Sequence, residues 1–313
     1  MAGIGSGGPT RPGLSHDPVV ASNVVIQSAS DLDHARVLRQ RRASIDAVCE
    51  ELESLGPDAP GDEVGRVVAE ALSQPTLEFL SALPGGSERV VEQSVQDFVR
   101  FTPNPASNAR TAAGLVRILL LQNVDLLWWS DTKDFVTRSE LERAGLLDLV
   151  EERRRGRVSF GFGIGSDSLV RRARDFAVQH LAPGREPRGP GLAFTRIRPE
   201  MLRLLNEIAG HVHEATPPRT PPIRVNSIIR TVEHQQHLRS LGFSALSPSA
   251  HCRGWAADIE VEWFERFGAD GALREILLGY LDEGVLNVID EGRAWHVCLN
   301  PAFAGRYAAS RDD

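Results

Sequence analysis

The sequence predicts an α+β protein in which a helical N-terminal domain precedes a domain with a small antiparallel sheet. Apolar residues between about 31 and 150 recur mainly at helical spacing, whereas segments near the C-terminus alternate between apolar and polar residues as half-buried strands do. Proline-rich stretches at 183–190 and 217–222 separate the two regions. We therefore expect a mainly helical domain of unassigned role and a C-terminal domain that carries the chemistry. Their predicted bounds are 31–190 and 195–305.

Helix start and stop residues divide the chain further. Asp, Pro and Gly at the ends of periodic segments are typical of helix caps and breakers. The predicted helices span 31–55, 62–83, 87–101, 110–128, 137–153 and 167–181, and another begins near Pro199. Residues 1–30 are rich in Gly, Pro and Ser and are expected to form a disordered lead, and 306–313 are expected to form a tail.

Composition excludes several classes of function. The 313 residues include 35 basic and 42 acidic side chains, so the net charge of −7 gives no electrostatic case for nucleic acid. The arginine clusters at 39–42 and 153–157 are predicted to be solvated helix faces or ends. No segment has the 18 or so consecutive apolar residues of a membrane span. Without a recognisable secretory signal the expected location is cytoplasmic, with export by another route as the alternative.

Three cysteines are too few for a disulfide framework. An odd and sparse set fits a reducing compartment, and buried free thiols are the default expectation. Cys252 and Cys298 flank the residues discussed next, so a local disulfide or an auxiliary thiolate ligand is the alternative.

A candidate metal site is formed by His251, Asp258 and His296. Two imidazoles and one carboxylate are the ligand set that a catalytic Zn²⁺ uses when its fourth position is left for water. Residues 256–261 alternate with a period of two, so Asp258 is expected to project from a strand toward a cleft. Gly254 is the expected pivot that turns His251 back over that strand.

The third ligand is expected on a hairpin. Residues 285–290 and 294–299 have strand character, and a two-residue loop at 292–293 would pair Glu291 with Ala294. Glu291 would then share a face with His296, within reach of a water on the metal, whereas Asp290 would point to the opposite face. This register selects Glu291 as the general base. Glu260, on the face of Asp258, is the reserve base, although a solvated strand carboxylate is the simpler interpretation.

Two sequence blocks resemble the D-alanyl-D-alanine carboxypeptidase and dipeptidase family of zinc peptidases, whose superfamily includes lysostaphin-type endopeptidases and hedgehog domains. Residues 249–258 are similar to the signature S-x-H-x-x-G-x-A-x-D, and residues 227–238 are similar to the block S-x-x-R-S/T-x-x-x-Q-x-x-L. The resemblance covers roughly residues 195–302. It implies substrate binding by Arg230, Ser249 and Gln235, with Arg230 stabilising a substrate carboxylate or the developing oxyanion.

One position departs from that family. Its last motif, E-x-W-H or E-x-x-H, has the catalytic Glu three residues before the final His ligand, where this chain has Arg293. Trp295 and His296 still match. The nearest acid is Glu291, five residues before His296.

The resulting hypothesis is zinc-assisted hydrolysis of an amide bond by Glu291 and Arg230. The resemblance implies a peptidoglycan-type or short D-amino-acid peptide as the substrate. One alternative is a catalytically inactive zinc-containing binding module whose helical domain recruits a protein partner. The other is an intracellular peptidase that acts on a protein target.

Overall fold

The computed structural model describes residues 29–103, 109–164, 191–240, 246–247 and 249–308. Residues 1–28 of the predicted lead, the predicted helix at 167–181 and residues 309–313 of the predicted tail lie outside them. The fold class is confirmed: a helical N-terminal region is followed by a small sheet with helices.

Four long helices form the N-terminal region. α1 packs against α2 and α4, and α3 packs against the same two helices. At the start of α4, Thr111 Oγ1 accepts a hydrogen bond from Gly114 N at 2.9 Å, as an N-cap residue does. The helices are α1 (Ala29–Leu55), α2 (Gly61–Leu72), α3 (Gly86–Val99) and α4 (Ala112–Trp128).

Two predicted helices were too long. The helix predicted at 62–83 ends at Leu72, because the residue before Pro75 is disfavoured in the helical region, and a 3-10 helix at Glu78–Ala82 follows. The helix predicted at 137–153 is interrupted at Gly145, whose φ of 66° leaves the right-handed helical region. Its residues form α5 (Arg138–Glu142), β1 (Leu147–Asp148) and α6 (Leu149–Arg154).

The C-terminal region is built on a five-stranded sheet with the order β2-β4-β5-β7-β6. β2 pairs with β4 in parallel and the other pairs are antiparallel, so the sheet is mixed at one edge only. A separate two-stranded antiparallel sheet joins β1 to β3 (Arg196–Ile197). The five strands are β2 (Gly161–Phe162), β4 (Arg224–Ser227), β5 (Ala256–Glu260), β6 (Leu286–Asp290) and β7 (Ala294–Leu299).

The predicted hairpin register is confirmed. Asp290 pairs with Trp295, and Glu291 N donates to Ala294 O at 3.0 Å. Gly292, in the two-residue loop, has a φ of 76°, which favours glycine. Because the side-chain period of a strand is two, this register places Glu291 on the face of His296.

Helices pack on the sheet and share one hydrophobic core with the N-terminal region. α4 and α10 (Asp270–Asp282) both contact β6, and α10 also contacts α7 (Pro199–Ala215). Leu121 of α4, Ile289 of β6 and Leu277 of α10 are all fully buried in this core. The remaining helices are α7 (Pro199–Ala215), α8 (Val232–Ser240), α9 (Glu262–Glu265) and α10 (Asp270–Asp282), with 3-10 helices at Ala250–Arg253 and Pro301–Tyr307.

Several side chains differ from their expected surroundings. The first arginine cluster is solvated only in part: Arg39 is exposed, although it donates to Asp282 O at 2.9 Å, whereas Arg42 is half-buried and donates to Asn287 Oδ1 at 2.6 Å. Tyr307 is buried and donates to Glu207 at 2.9 Å, so packed structure extends into the predicted tail. The three cysteines are buried free thiols. No helix among the described residues is long and apolar enough to cross a membrane.

Candidate metal centre

The three predicted ligands come from adjacent elements of the sheet. Asp258 on β5 and His296 on β7 are directly paired across the antiparallel ladder, which puts their side chains on one face. His251 lies in the 3-10 helix that precedes β5. Gly254 ends that helix with a φ of 77°, and a Cβ there would lie 3.0 Å from Ile229 Cδ1. Gly254 therefore acts as the expected pivot.

The ligand atoms form a nearly equilateral triangle. His251 Nε2 lies 3.1 Å from Asp258 Oδ1 and 3.2 Å from His296 Nδ1, and the His296 and Asp258 atoms are 3.1 Å apart. Tetrahedral coordination with bonds of about 2.0–2.1 Å separates its ligand atoms by about 3.3–3.4 Å. The exposed fractions of the whole residues are 2%, 6% and 1% for His251, Asp258 and His296. This buried group could hold a metal ion.

The second nitrogen of His251 is fixed by the backbone. His251 Nδ1 lies 2.7 Å from Ile228 O, and a carbonyl only accepts, so Nδ1 carries the proton. The lone pair of Nε2 consequently points at the other two ligands. Burial lowers the pKa of His251, which keeps the ring neutral and able to coordinate.

The second nitrogen of His296 is fixed by a carboxylate from the helical region. His296 Nε2 lies 3.0 Å from Oδ2 of Asp125, a fully buried residue of α4. Burial alone lowers the pKa of His296, but hydrogen bonds to Asp125 and Asp258 outweigh it and raise the pKa to about 10. This carboxylate–histidine–ligand arrangement is typical of metal sites.

Arg230 borders the ligands and remains partly exposed, with 20% of its side chain accessible. Its Nη2 donates to Asp258 Oδ2 at 2.6 Å and its Nε donates to Ser227 Oγ at 2.9 Å. Although burial opposes ionisation, the electrostatic interactions with His251 and with the guanidinium of Arg230 hold the pKa of Asp258 well below its usual range.

The other two predicted substrate-binding residues are buried. Gln235 Oε1 accepts from Arg230 Nη1 at 3.4 Å, and its Nε2 donates to Leu246 O at 2.8 Å. Ser249 Oγ lies 3.9 Å from Cys252 Sγ. Gln235 thus supports the Arg230 side chain, and Ser249 packs inside the turn that carries His251.

Glu291 is buried on the ligand face, with 5% of its surface exposed. Gln122 of α4 donates its Nε2 to Glu291 Oε1 at 2.7 Å. Burial, together with the negative charge of Asp258, raises the pKa of Glu291 to about 7. Asp290 is exposed, with its Oδ1 accepting from Gly292 N at 2.7 Å, in agreement with the predicted alternation.

The position that holds the catalytic Glu in the similar family lies outside the site. Arg293 is exposed at the turn, where its Nε and Nη2 donate to Glu262 at 2.7 and 3.1 Å. Glu260, expected as a solvated strand carboxylate, is mostly buried and forms an ion pair with Arg224 at 3.1 Å. Among Glu260, Asp290, Glu291 and Arg293, only Glu291 is a hairpin acid that is buried beside the predicted ligands.

Sequence reasoning missed Asp125 and Gln122. Both lie in a strongly apolar helix, where they interrupt the run at 115–129 and look like ordinary polar residues. Their spacing of three residues puts them on one helix face, and this shared polar face was the one feature of the sequence that could have indicated a role for them. Asn287 was missed as well: its Nδ2 donates to Asp125 Oδ1 at 2.8 Å.

Comparison with known proteins adds no identification. The chain matches no protein-family model, and neither a curated protein nor a solved structure is significantly similar to it.

Proposed function

We propose that the chain is a zinc-dependent peptidase that hydrolyses an amide bond in a peptidoglycan-type or short D-amino-acid peptide. The observation that carries the proposal is the buried triangle of His251, Asp258 and His296, bordered by a buried acid and an arginine. Nitrogen and oxygen ligands in this ratio favour Zn²⁺ over the oxygen-preferring Mg²⁺ and Ca²⁺. When bound, Zn²⁺ would supply a water of lowered pKa and polarise the scissile carbonyl.

Glu291 is the proposed general base. A carboxylate with a pKa of about 7 accepts a proton from water at neutral pH and returns it to the leaving amine. Gln122 fixes the carboxylate through Oε1.

Arg230 is the proposed anion-binding residue. Its fixed charge would offset the negative charge that develops on the carbonyl oxygen, or bind a substrate carboxylate. Its hydrogen bonds to Ser227 and Asp258 hold the guanidinium beside the ligands before substrate arrives. Its partial exposure gives a substrate access to it.

A panel of peptides ending in D-Ala-D-Ala tests the activity. The zinc-loaded wild type should hydrolyse at least one member, and Glu291→Gln should lose about 10²–10⁴-fold of that rate while zinc content stays unchanged. Glu260→Gln is the matched control, because Glu260 lies on the face of Asp258 but is paired with Arg224. Loss of activity in the control alone would transfer the role of base to Glu260.

A second candidate is a zinc-containing binding module without catalysis. It is favoured by Arg293, which occupies the position of the family's catalytic Glu and is bound to Glu262 at the surface. Stoichiometric zinc without turnover of any peptide in the panel would favour this candidate.

A further inference from the structure

The helical region reaches the ligand group through one face of α4. Gln122 and Asp125 lie three residues apart, a spacing that places both side chains on the same side of a helix. Asp125 contacts His296, and Gln122 contacts Glu291. A metal ligand and the proposed base are therefore both supported from outside the C-terminal region.

Asp125 is itself held in place. Asn287 Nδ2 donates to Asp125 Oδ1 at 2.8 Å and to Leu121 O at 3.0 Å, and Asn287 Oδ1 accepts from Arg42 Nη1 at 2.6 Å. These contacts form a continuous hydrogen-bonded chain from α1 through β6 and α4 to His296. The bonds of Asn287 to α4 and of Asp125 to His296 are buried, where a polar group without a partner is costly, and the bond from Arg42 is partly buried.

We propose that Asp125 is a positioning residue of the metal centre, so that α4 is a structural part of that centre. The inference rests on the proposed metal site. A carboxylate on the distal nitrogen of a ligating histidine orients the ring, fixes its tautomer and raises the basicity of the ligating nitrogen. Here it keeps the proton on Nε2 and leaves Nδ1 of His296 for the ion.

Asp125→Asn isolates this effect with little change in volume. The variant has no negative charge, and its amide can present an N–H to His296 Nε2. That contact would stabilise the tautomer protonated on Nδ1, the nitrogen that must coordinate. Both consequences weaken the ligand.

The test measures zinc affinity of the full chain by competition with a chromophoric chelator. Asp125→Asn should bind Zn²⁺ about 10- to 100-fold more weakly than wild type. Asp46→Asn is the matched control: Asp46 on α1 forms an ion pair at 2.6 Å with Arg117 of α4, but neither touches the ligands. It should bind zinc as tightly as wild type.

The Co²⁺-substituted proteins provide a second readout. The visible absorption spectrum of Asp125→Asn should differ from that of wild type, because a reoriented imidazole changes the ligand field, and the Asp46→Asn spectrum should not. If Asp125→Asn fails to fold, Asn287→Ala takes its place. That variant keeps the carboxylate but removes its hydrogen-bond donor, and it should also bind zinc more weakly than wild type.

The outcomes separate this inference from the proposed function. A wild-type chain that binds no zinc overturns both. Zinc bound equally well by wild type and Asp125→Asn, or by Asn287→Ala in its place, overturns only the role of Asp125. Equal weakening in Asp46→Asn would assign the effect to helix packing and overturn it too.

Discussion

The two histidines of the candidate metal centre are equally buried but are held in different ways. His251 sits on a short turn, and its second nitrogen donates to the neutral carbonyl of Ile228. His296 sits on an interior strand of the sheet, and its second nitrogen donates to the Asp125 carboxylate. The pKa of His251 is lowered by burial, whereas hydrogen bonds to two carboxylates raise that of His296 to about 10. Burial alone therefore does not determine the charge of a histidine.

The difference also separates two sources of rigidity. His251 depends on local backbone geometry, since Gly254 and the Ile228 carbonyl lie within 23 residues of it. His296 depends on Asp125 of the helical region. The two residues are far apart in the sequence and come into contact only when the whole chain folds. Substitutions near His251 and substitutions near His296 should thus have different effects on stability and on zinc binding.

Removal of each histidine gives the largest expected difference. His251→Ala and His296→Ala should both abolish stoichiometric zinc binding. The metal-free proteins, prepared with a chelator, should nevertheless differ in stability. His296→Ala leaves the Asp125 carboxylate buried without its cationic partner, which should lower the free energy of unfolding by about 3–5 kcal/mol. His251→Ala leaves mainly the Ile228 carbonyl without a donor, which should lower it by about 1–3 kcal/mol. Urea denaturation of the metal-free proteins measures this difference.

A double variant provides the control. Asp125→Asn combined with His296→Ala should regain part of the lost stability, because the uncompensated charge is gone. Equal destabilisation by the two single alanine variants would mean that Asp125 contributes no more than the Ile228 carbonyl.

The pH dependence of the stability of the metal-free protein should also differ between the His251 and His296 variants. A base whose pKa is raised on folding contributes stability that is complete below its unfolded pKa of 6.5 and is lost as pH rises through its folded pKa. For His296 this loss extends to about pH 10. Urea denaturation between pH 7.5 and 10, above the pKa of Glu291, should show a steeper decline for wild type and His251→Ala than for His296→Ala. Parallel curves for all three would refute the raised pKa.

Much of this centre follows from local sequence, and the rest does not. Asp258 and Glu291 were predictable because alternation along a strand and the length of a hairpin loop fix which side chains share a face. His251 and His296 were predictable from the motif spacing. Asp125 and Gln122 reach His296 and Glu291 from a helix that is distant in sequence, and no local pattern predicts that approach.

The missed helix breaks have a different, local cause. Apolar periodicity continues past Pro75 and Gly145, and only their backbone preferences end the helices.

Arg42 looked solvated because its partner, Asn287, lies on a strand 245 residues away. Pairings between distant elements leave no periodic signal in either segment.

A smaller effect is expected from Gly254→Ala, which disturbs the turn under His251. The residue has a φ of 77°, which costs about 1–2 kcal/mol for a residue with a Cβ, and that Cβ would press on Ile229. We expect this loss of stability together with weaker zinc binding, measured by urea denaturation and chelator competition. Gly279→Ala is the control, since a Cβ in α10 meets nothing within 4 Å and should stabilise the helix by about 0.5–1 kcal/mol. Unchanged zinc affinity in Gly254→Ala would show that the turn does not position His251.

The smallest effect is expected on the His296 side, at the exposed turn that leads into β7. Arg293→Ala removes an ion pair with Glu262 in which half of the arginine side chain is exposed, and such pairs contribute about 0–1 kcal/mol. Zinc affinity should not change, because the sheet and Asp125 hold His296 independently of the turn. Arg293→Glu introduced into Glu291→Gln should not restore hydrolysis, since the new acid would lie at the surface. Restored turnover would instead mean that the turn can reach the ligands, and that Glu291 is not the only position from which a base can act.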